Sequence, residues 1–180
     1  AVVFGGGTGP TWQLLDDTWE WDGTAWASPG PSVRPSARAS LCMAYDSLRR
    51  RVVLYGGSAN ASAFADTWEW DRAVWAQRFP ALNPGLRSGA SMAFDSNRAR
   101  MVLVDGFIGS GTPPADTWEW DGTGWSGFLM SPAPYPTSGR AMAYDPGRRQ
   151  IVLSLSFPAS DVWEFGPPGP AYTTFGVGCL

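Results

Sequence analysis

The block "DTWEWDGTAW" at 17–26 returns as "DTWEWDRAVW" at 66–75 and "DTWEWDGTGW" at 116–125, with a shortened "DVWEF" at 161–165. A chain that repeats itself folds into units that repeat, so this recurrence outranks every local signal. Two further landmarks recur in fixed order. One is Met-Ala-aromatic-Asp at 43–46, 92–95 and 142–145. The other is an apolar run ending in glycine: "VVFGG" at 2–6, "VVLYGG" at 52–57, "MVLVDG" at 101–106, and a decayed "IVLSLS" at 151–156. The first landmark is spaced by 49 and 50 residues, the tryptophan block by 49, 50 and 45.

A period near 50 residues, punctuated by 22 Gly and 16 Pro, disfavours helices. Residues 38–80 accommodate four short strands: "SLCMAYD", "RVVLYGG", "DTWEWD" and the stretch around "AVWAQRF", joined by the turn "DSLRR", the loop "SANASAFA" and a short turn. The Pro-rich "PALNPGLR" leads to the next unit. Four antiparallel strands in a meander make one propeller blade. The second strand is apolar at Val52, Val53, Leu54 and Tyr55, as expected of a strand packed on both faces. The third alternates, with Trp68 and Trp70 on one face and Thr67, Glu69 and Asp71 on the other.

The order of Arg38 or Arg87, first strand, Gly56-Gly57, aromatic strand and spaced Trp75 resembles the kelch repeat. It is most similar to bacterial kelch-like repeats carrying "DTWEWDG..W" and "MAYD..R.R.V", and the resemblance covers residues 2–165. Three departures stand out. Thr137 takes the place of Arg38 and Arg87, Asp105 replaces the first glycine of the third unit, and the fourth unit lacks the diglycine. The resemblance implies an all-β, kelch-type β-propeller with a binding or scaffolding role. Units fall at about 1–37, 38–86, 87–136 and 137–166, giving fourteen strands, or about 3.5 blades. The 167–180 tail is either a closing strand or the start of a further β-domain. An array of this kind exposes strand edges, so self-association or additional blades outside the segment are expected.

Composition removes whole classes of chemistry. There is no His, which excludes His-based triads and His-ligated metals, including the copper site of galactose-oxidase-type kelch enzymes. All 13 basic residues are Arg and the net charge is −3, so no nucleic-acid partner is expected; Arg49, Arg50 and Arg51 read as a solvated turn. No apolar run is long enough to span a bilayer. Cys42 and Cys179 cannot form a tetrahedral thiolate metal site and could form one disulfide, but Cys42 reads as a small buried strand residue. Asn60-Ala61-Ser62 is a glycosylation sequon in a loop. The opening "AVVFGGGTGP" lacks an initiator Met and a signal-type stretch, consistent with a processed chain or a segment. Family resemblance and the Trp-rich, Lys-free composition favour an extracellular or cell-surface setting.

The rings and acids of the block itself read as structure, because a core repeats with its unit whereas a ligand site breaks the symmetry. This covers Trp19, Trp21, Trp26, Trp68, Trp70, Trp75, Trp118, Trp120, Trp125 and Trp163, and the four glutamates Glu20, Glu69, Glu119 and Glu164. A glycosidase would need two carboxylates with different environments, which identical repeat positions do not provide. The glutamates are expected to pair with Arg38 and Arg87 between units. Asp46, Asp95 and Asp145, and Asp17, Asp66, Asp116 and Asp161, are expected to bond turn amides. No calcium loop "D-x-D-x-D-G" is present, and "WDGTAW" lacks the intervening residue of a sialidase Asp box. Gly5, Gly6, Gly56 and Gly57 lack the Lys and helix of a phosphate loop and read as positive-φ or close-approach glycines.

Recognition is therefore expected in the segments that do not repeat, the loops between second and third strands together with the crossovers between units. These carry the candidate ligand-binding residues Trp12, Phe64, Phe107, Ile108 and Phe157. The expected function is a non-enzymatic module, without cofactor or metal, binding protein or carbohydrate at this loop face. A self-assembling oligomer or filament component is the alternative, and a glycan-active propeller enzyme the third reading.

Overall fold

The computed structural model describes residues 1–60, 62–107, 116–129, 141–154 and 162–165, and these are all-β, without a helix. Strands β1 (Val2–Thr8), β2 (Gln13–Trp21) and β3 (Trp26–Ala27) form the first antiparallel sheet. The second sheet joins β4 (Cys42–Asp46) and β5 (Arg51–Tyr55) to β8 (Thr67–Trp70) and β9 (Trp75–Arg78). Between β5 and β8 the chain makes a small hairpin, β6 (Ser58–Ala59) with β7 (Ser62–Ala63), where the sequence suggested an irregular loop. The third sheet is β10 (Ser91–Asp95), β11 (Arg100–Val104), β12 (Asp116–Trp120) and β13 (Trp125–Leu129); the fourth is β14 (Ala141–Asp145), β15 (Gln150–Ser154) and β16 (Val162–Phe165). Each is a meander with strands in chain order.

Local chemistry ends these strands. Asp46 Oδ1 accepts from the Leu48 and Arg49 amides and closes the β4–β5 turn, and Asp95 and Asp145 do the same one and two units later. Asp71 and Asp121 close the turns between β8 and β9 and between β12 and β13 in the same way. Strand β5 stops at Tyr55 because Gly56 and Gly57 take φ of 63° and 97°. A Cβ on Gly56 would stand 2.5 Å from the Arg87 carbonyl oxygen, and one on Gly5 would stand 2.7 Å from that of Arg38. The glycines are thus required twice over, by conformation and by the crossover strand laid against them. Asp105, the counterpart of Gly56, holds the same left-handed backbone with φ 58°; Asp is among the few residues that tolerate it.

The sheets pack face to face in chain order. Val52, Leu54, Trp68, Trp70 and Trp75 of the second sheet bury Phe4, with Val2 partly covered. The opposite face of that sheet, with Cys42, Val53 and Tyr55, receives Met92, Phe94, Met101, Leu103, Trp120 and Trp125 of the third. Val102 and Val104 of the third sheet then meet Ile151 and Leu153 of the fourth. Strand β8 consequently has no solvent face: Thr67 and Glu69 are as buried as Trp68 and Trp70. Each buried indole contributes roughly 4–6 kcal/mol of transfer free energy before entropy costs. No helix among the described residues is long and apolar enough to cross a membrane.

Candidate functional site

The repeated charges assemble into a closed lattice. Arg38 and Arg87 are buried, and each grips an aspartate with both terminal nitrogens: Asp66 at 2.6 and 2.9 Å, Asp116 at 2.8 and 2.6 Å. The same guanidinium groups donate to the carbonyls of Gly56 and Asp105. This corrects the expectation that Arg38 and Arg87 pair with glutamates of another unit, and that Asp66 and Asp116 serve turn amides. A buried guanidinium needs a planar, two-oxygen partner, and the aspartate opening the third strand lies within reach of the crossover. Asp66 and Asp116 also accept from Trp68 and Trp118 Nε1; in the first sheet Asp17 accepts from Trp19.

Glu69, Glu119 and Glu164 are held by the turn arginines instead. Arg49 bridges Asp46 and Glu69 at 2.7 and 2.6 Å, Arg98 bridges Asp95 and Glu119, and Arg148 bridges Asp145 and Glu164. Arg49 is therefore a structural cation and not part of a solvated run, although Arg50 beside it is exposed. Burial works to lower the Arg49 guanidinium, but its bonds to Glu69 and Asp46 hold it above its usual value. Between sheets the donors to glutamate are indoles: Trp70 Nε1 to Glu20 at 2.7 Å and Trp120 Nε1 to Glu69 at 3.2 Å. Trp75 and Trp125 donate to Thr18 and Thr67 at 2.9 Å each. Cys42 is buried and unpaired, donating to the Tyr55 carbonyl, and burial pushes its thiol up to about 12. Cys179 lies outside the described residues.

The non-repeated aromatics divide. Trp12 is 66% exposed, its indole laid over the Gly7 backbone so closely that a Cβ there would meet the ring at 2.6 Å. Phe107 is 41% exposed. Phe64 is half-buried and covered by the Arg38 guanidinium, 3.8 Å from its centroid, so it works as packing for that ion pair. Ile108, Phe157 and Asp161 lie outside the described residues. Backbone bonds link this end of the sheets into one layer: Gly6 to Arg38, Ala39 to Ser58, Gly57 to Arg87, and Ser88 to Phe107. Trp12, Phe64 and Phe107 therefore stand at the same end of the sheets.

A second feature escaped sequence reasoning. A half-open cleft of about 420 Å³ separates the first sheet from the second, lined by Val2, Glu20, Trp21 and Asp22 on one side and Tyr45, Arg50, Val52, Trp70 and Arg72 on the other. At the next junction Arg49 occupies the corresponding space, bonded to Glu69 and pressed against Gly122. Among the described residues Glu20 has Trp70 and, at 3.8 Å, Arg72. The signal was available in the repeat count, since the first unit has no copy of the strand and turn that supply Arg49. Among the described residues no group of three or more acidic or sulfur side chains is arranged to hold a metal. Compared with known proteins, the sequence matches no family model and no curated protein.

Proposed function

We infer that the chain is a non-enzymatic binding module, built as consecutive blades of a kelch-type β-propeller, that takes its partner at the loop end carrying Trp12 and Phe107. The blade reading is supported by the four-stranded meanders, stacked face to face in chain order with one face of each on the opposite face of the last. The binding reading rests on one observation. The repeated acids and arginines of the second, third and fourth sheets bond to one another, whereas Trp12 and Phe107, outside the repeat, expose their rings at one end. An exposed indole supported from behind by backbone is a rigid apolar platform, suited to the face of a sugar ring or an apolar side chain.

Titration of the chain with neutral oligosaccharides, followed by tryptophan fluorescence, tests this. A saturable change that disappears in Trp12→Ala, with the melting temperature unaltered, is the expected result. Binding that persists unchanged in both Trp12→Ala and Phe107→Ala would place recognition elsewhere and reject the loop-end reading.

A further inference from the structure

The first sheet presents a face whose proper covering is displayed twice inside the same molecule. Trp70 and Trp75 of the second sheet donate to Glu20 and Thr18 of the first; Trp120 and Trp125 of the third donate to Glu69 and Thr67 of the second. Each of these two junctions thus sets two indole N–H groups on a Thr-x-Glu strand. The first sheet carries the same donor pair, Trp21 and Trp26, with rings 5.6 Å apart and tilted 45°. The buried pairs stand at 5.4 Å and 35°, and at 5.5 Å and 42°. Trp21 and Trp26 therefore hold the geometry of a junction, and no described sheet packs against them. Trp21 is 37% exposed and Trp26 48%, against 0% and 2% for Trp70 and Trp75. Val3 and Trp19, which share that face, are exposed as well. No acceptor for the Trp21 or Trp26 indole lies among the described residues.

The fourth sheet carries the opposite half. Glu164 of β16 stands where Glu20 and Glu69 stand, and Val162 where Thr18 and Thr67 stand. On the same face Ala143 is exposed, whereas its counterpart Ala93 is buried. We propose that the Trp21–Trp26 face docks onto the Glu164 face of a second copy of this chain, head to tail.

Three observations select that occupant. The join repeats a contact the chain already makes at two internal junctions. The pairing matches donor with acceptor, whereas two Trp faces brought together would leave their indole N–H groups without acceptors. Both halves are present on every copy, so the contact is heterologous and either closes in a small ring or propagates. The pre-set ring pair means that little side-chain ordering opposes association. This surface is distinct from the loop end, and either can fail without the other.

The test is the mass of the 180-residue chain by sedimentation velocity across a wide concentration range, with two variants on opposite faces. Trp21→Ser/Trp26→Ser removes the donor face, and Ala143→Arg blocks the acceptor face; all three positions are exposed, and circular dichroism checks folding. The wild type is expected to associate, and each variant alone to remain monomeric. An equimolar mixture of the two variants is expected to recover a heterodimer, because each retains the face the other lacks. Val162→Thr restores the missing hydroxyl acceptor and is expected to tighten association about five-fold, the worth of one net hydrogen bond. A wild type that is monomeric throughout overturns the proposal, as does an Ala143→Arg variant that self-associates like the wild type, which would mean Trp face on Trp face.

Discussion

Arg87 shows how a single side chain can lock a crossover. Its guanidinium is 2% exposed and bonds Asp116 with two nitrogens, the Asp105 carbonyl, and the Pro84 carbonyl. Removing one member of a buried pair leaves the other charge uncompensated, at about 3–5 kcal/mol. Arg87→Ala is expected to lower unfolding free energy by that amount in urea titration. Arg87→Lys should recover little of it, because an ammonium cannot make the planar two-oxygen contact. The turn aspartates set a pH limit. Amide bonds from Val74, with Arg51 and the Ala73 amide, hold Asp71 at about 2 against an ordinary 3.8; the Thr123 hydroxyl with the Gly124 and Thr123 amides does the same for Asp121. A carboxyl lowered by folding stabilises the fold above its unfolded value and ceases to do so as pH falls through its folded one. Urea midpoints are therefore expected to drop as pH falls from 3.8 to about 2.

Among the elements, the third strand of the second sheet, and likewise of the third, has two duties. Its Trp face reaches back to the preceding sheet, and its Thr-x-Glu face receives the following one. The alternation was legible in "DTWEWD", because side chains on a strand switch faces at every residue. That both faces are buried was not, since burial depends on whether a sheet lies on each side. Trp120→Phe isolates the polar part of a junction: it keeps a ring against the neighbouring sheet and loses the bond from Nε1 to Glu69. Glu69 keeps Arg49 and Arg78, so the expected loss is only about 1 kcal/mol. A much larger loss in equilibrium unfolding would mean that ring shape, and not the bond, holds the junction. Strand ends were also partly readable. Asp-Gly and Gly-Gly marked the turns, but the hairpin of β6 and β7 has no apolar pattern to announce it.

At the scale of the whole molecule, the four sheets form a series whose middle members have two neighbours. Leu54, Tyr55 and Trp70 of the second sheet and Leu103 and Trp120 of the third are essentially inaccessible, while Trp19, Trp21 and Trp26 of the first are exposed. In a stacked array stability adds through unit and neighbour terms, so a sheet with one neighbour opens at lower cost. Amide hydrogen exchange is expected to be slowest in β5, β8, β11 and β12 and faster in β1 and β2. Uniform protection across the four sheets would instead indicate one cooperative unit. Of the candidate site, Trp12 and Phe107 were identifiable because they fall outside the repeat. The missing counterpart of Arg49 was readable in the repeat count, but that its loss leaves a cleft beside Glu20 shows only once the sheets are stacked.

The sequence by itself determined the repeat, the four-strand unit, the turns and which residues share a strand face. These follow from local chemistry: turn-forming Asp and Gly, apolar runs, and the two-residue period of a strand. Only the tertiary structure decided which acid each arginine meets and which tryptophans are covered. Arg38 and Asp66 lie 28 residues apart, and Trp70 and Glu20 lie 50 apart. Such partners are chosen by how one sheet stacks on the next, and a repeat cannot show from within one unit what stands beside it.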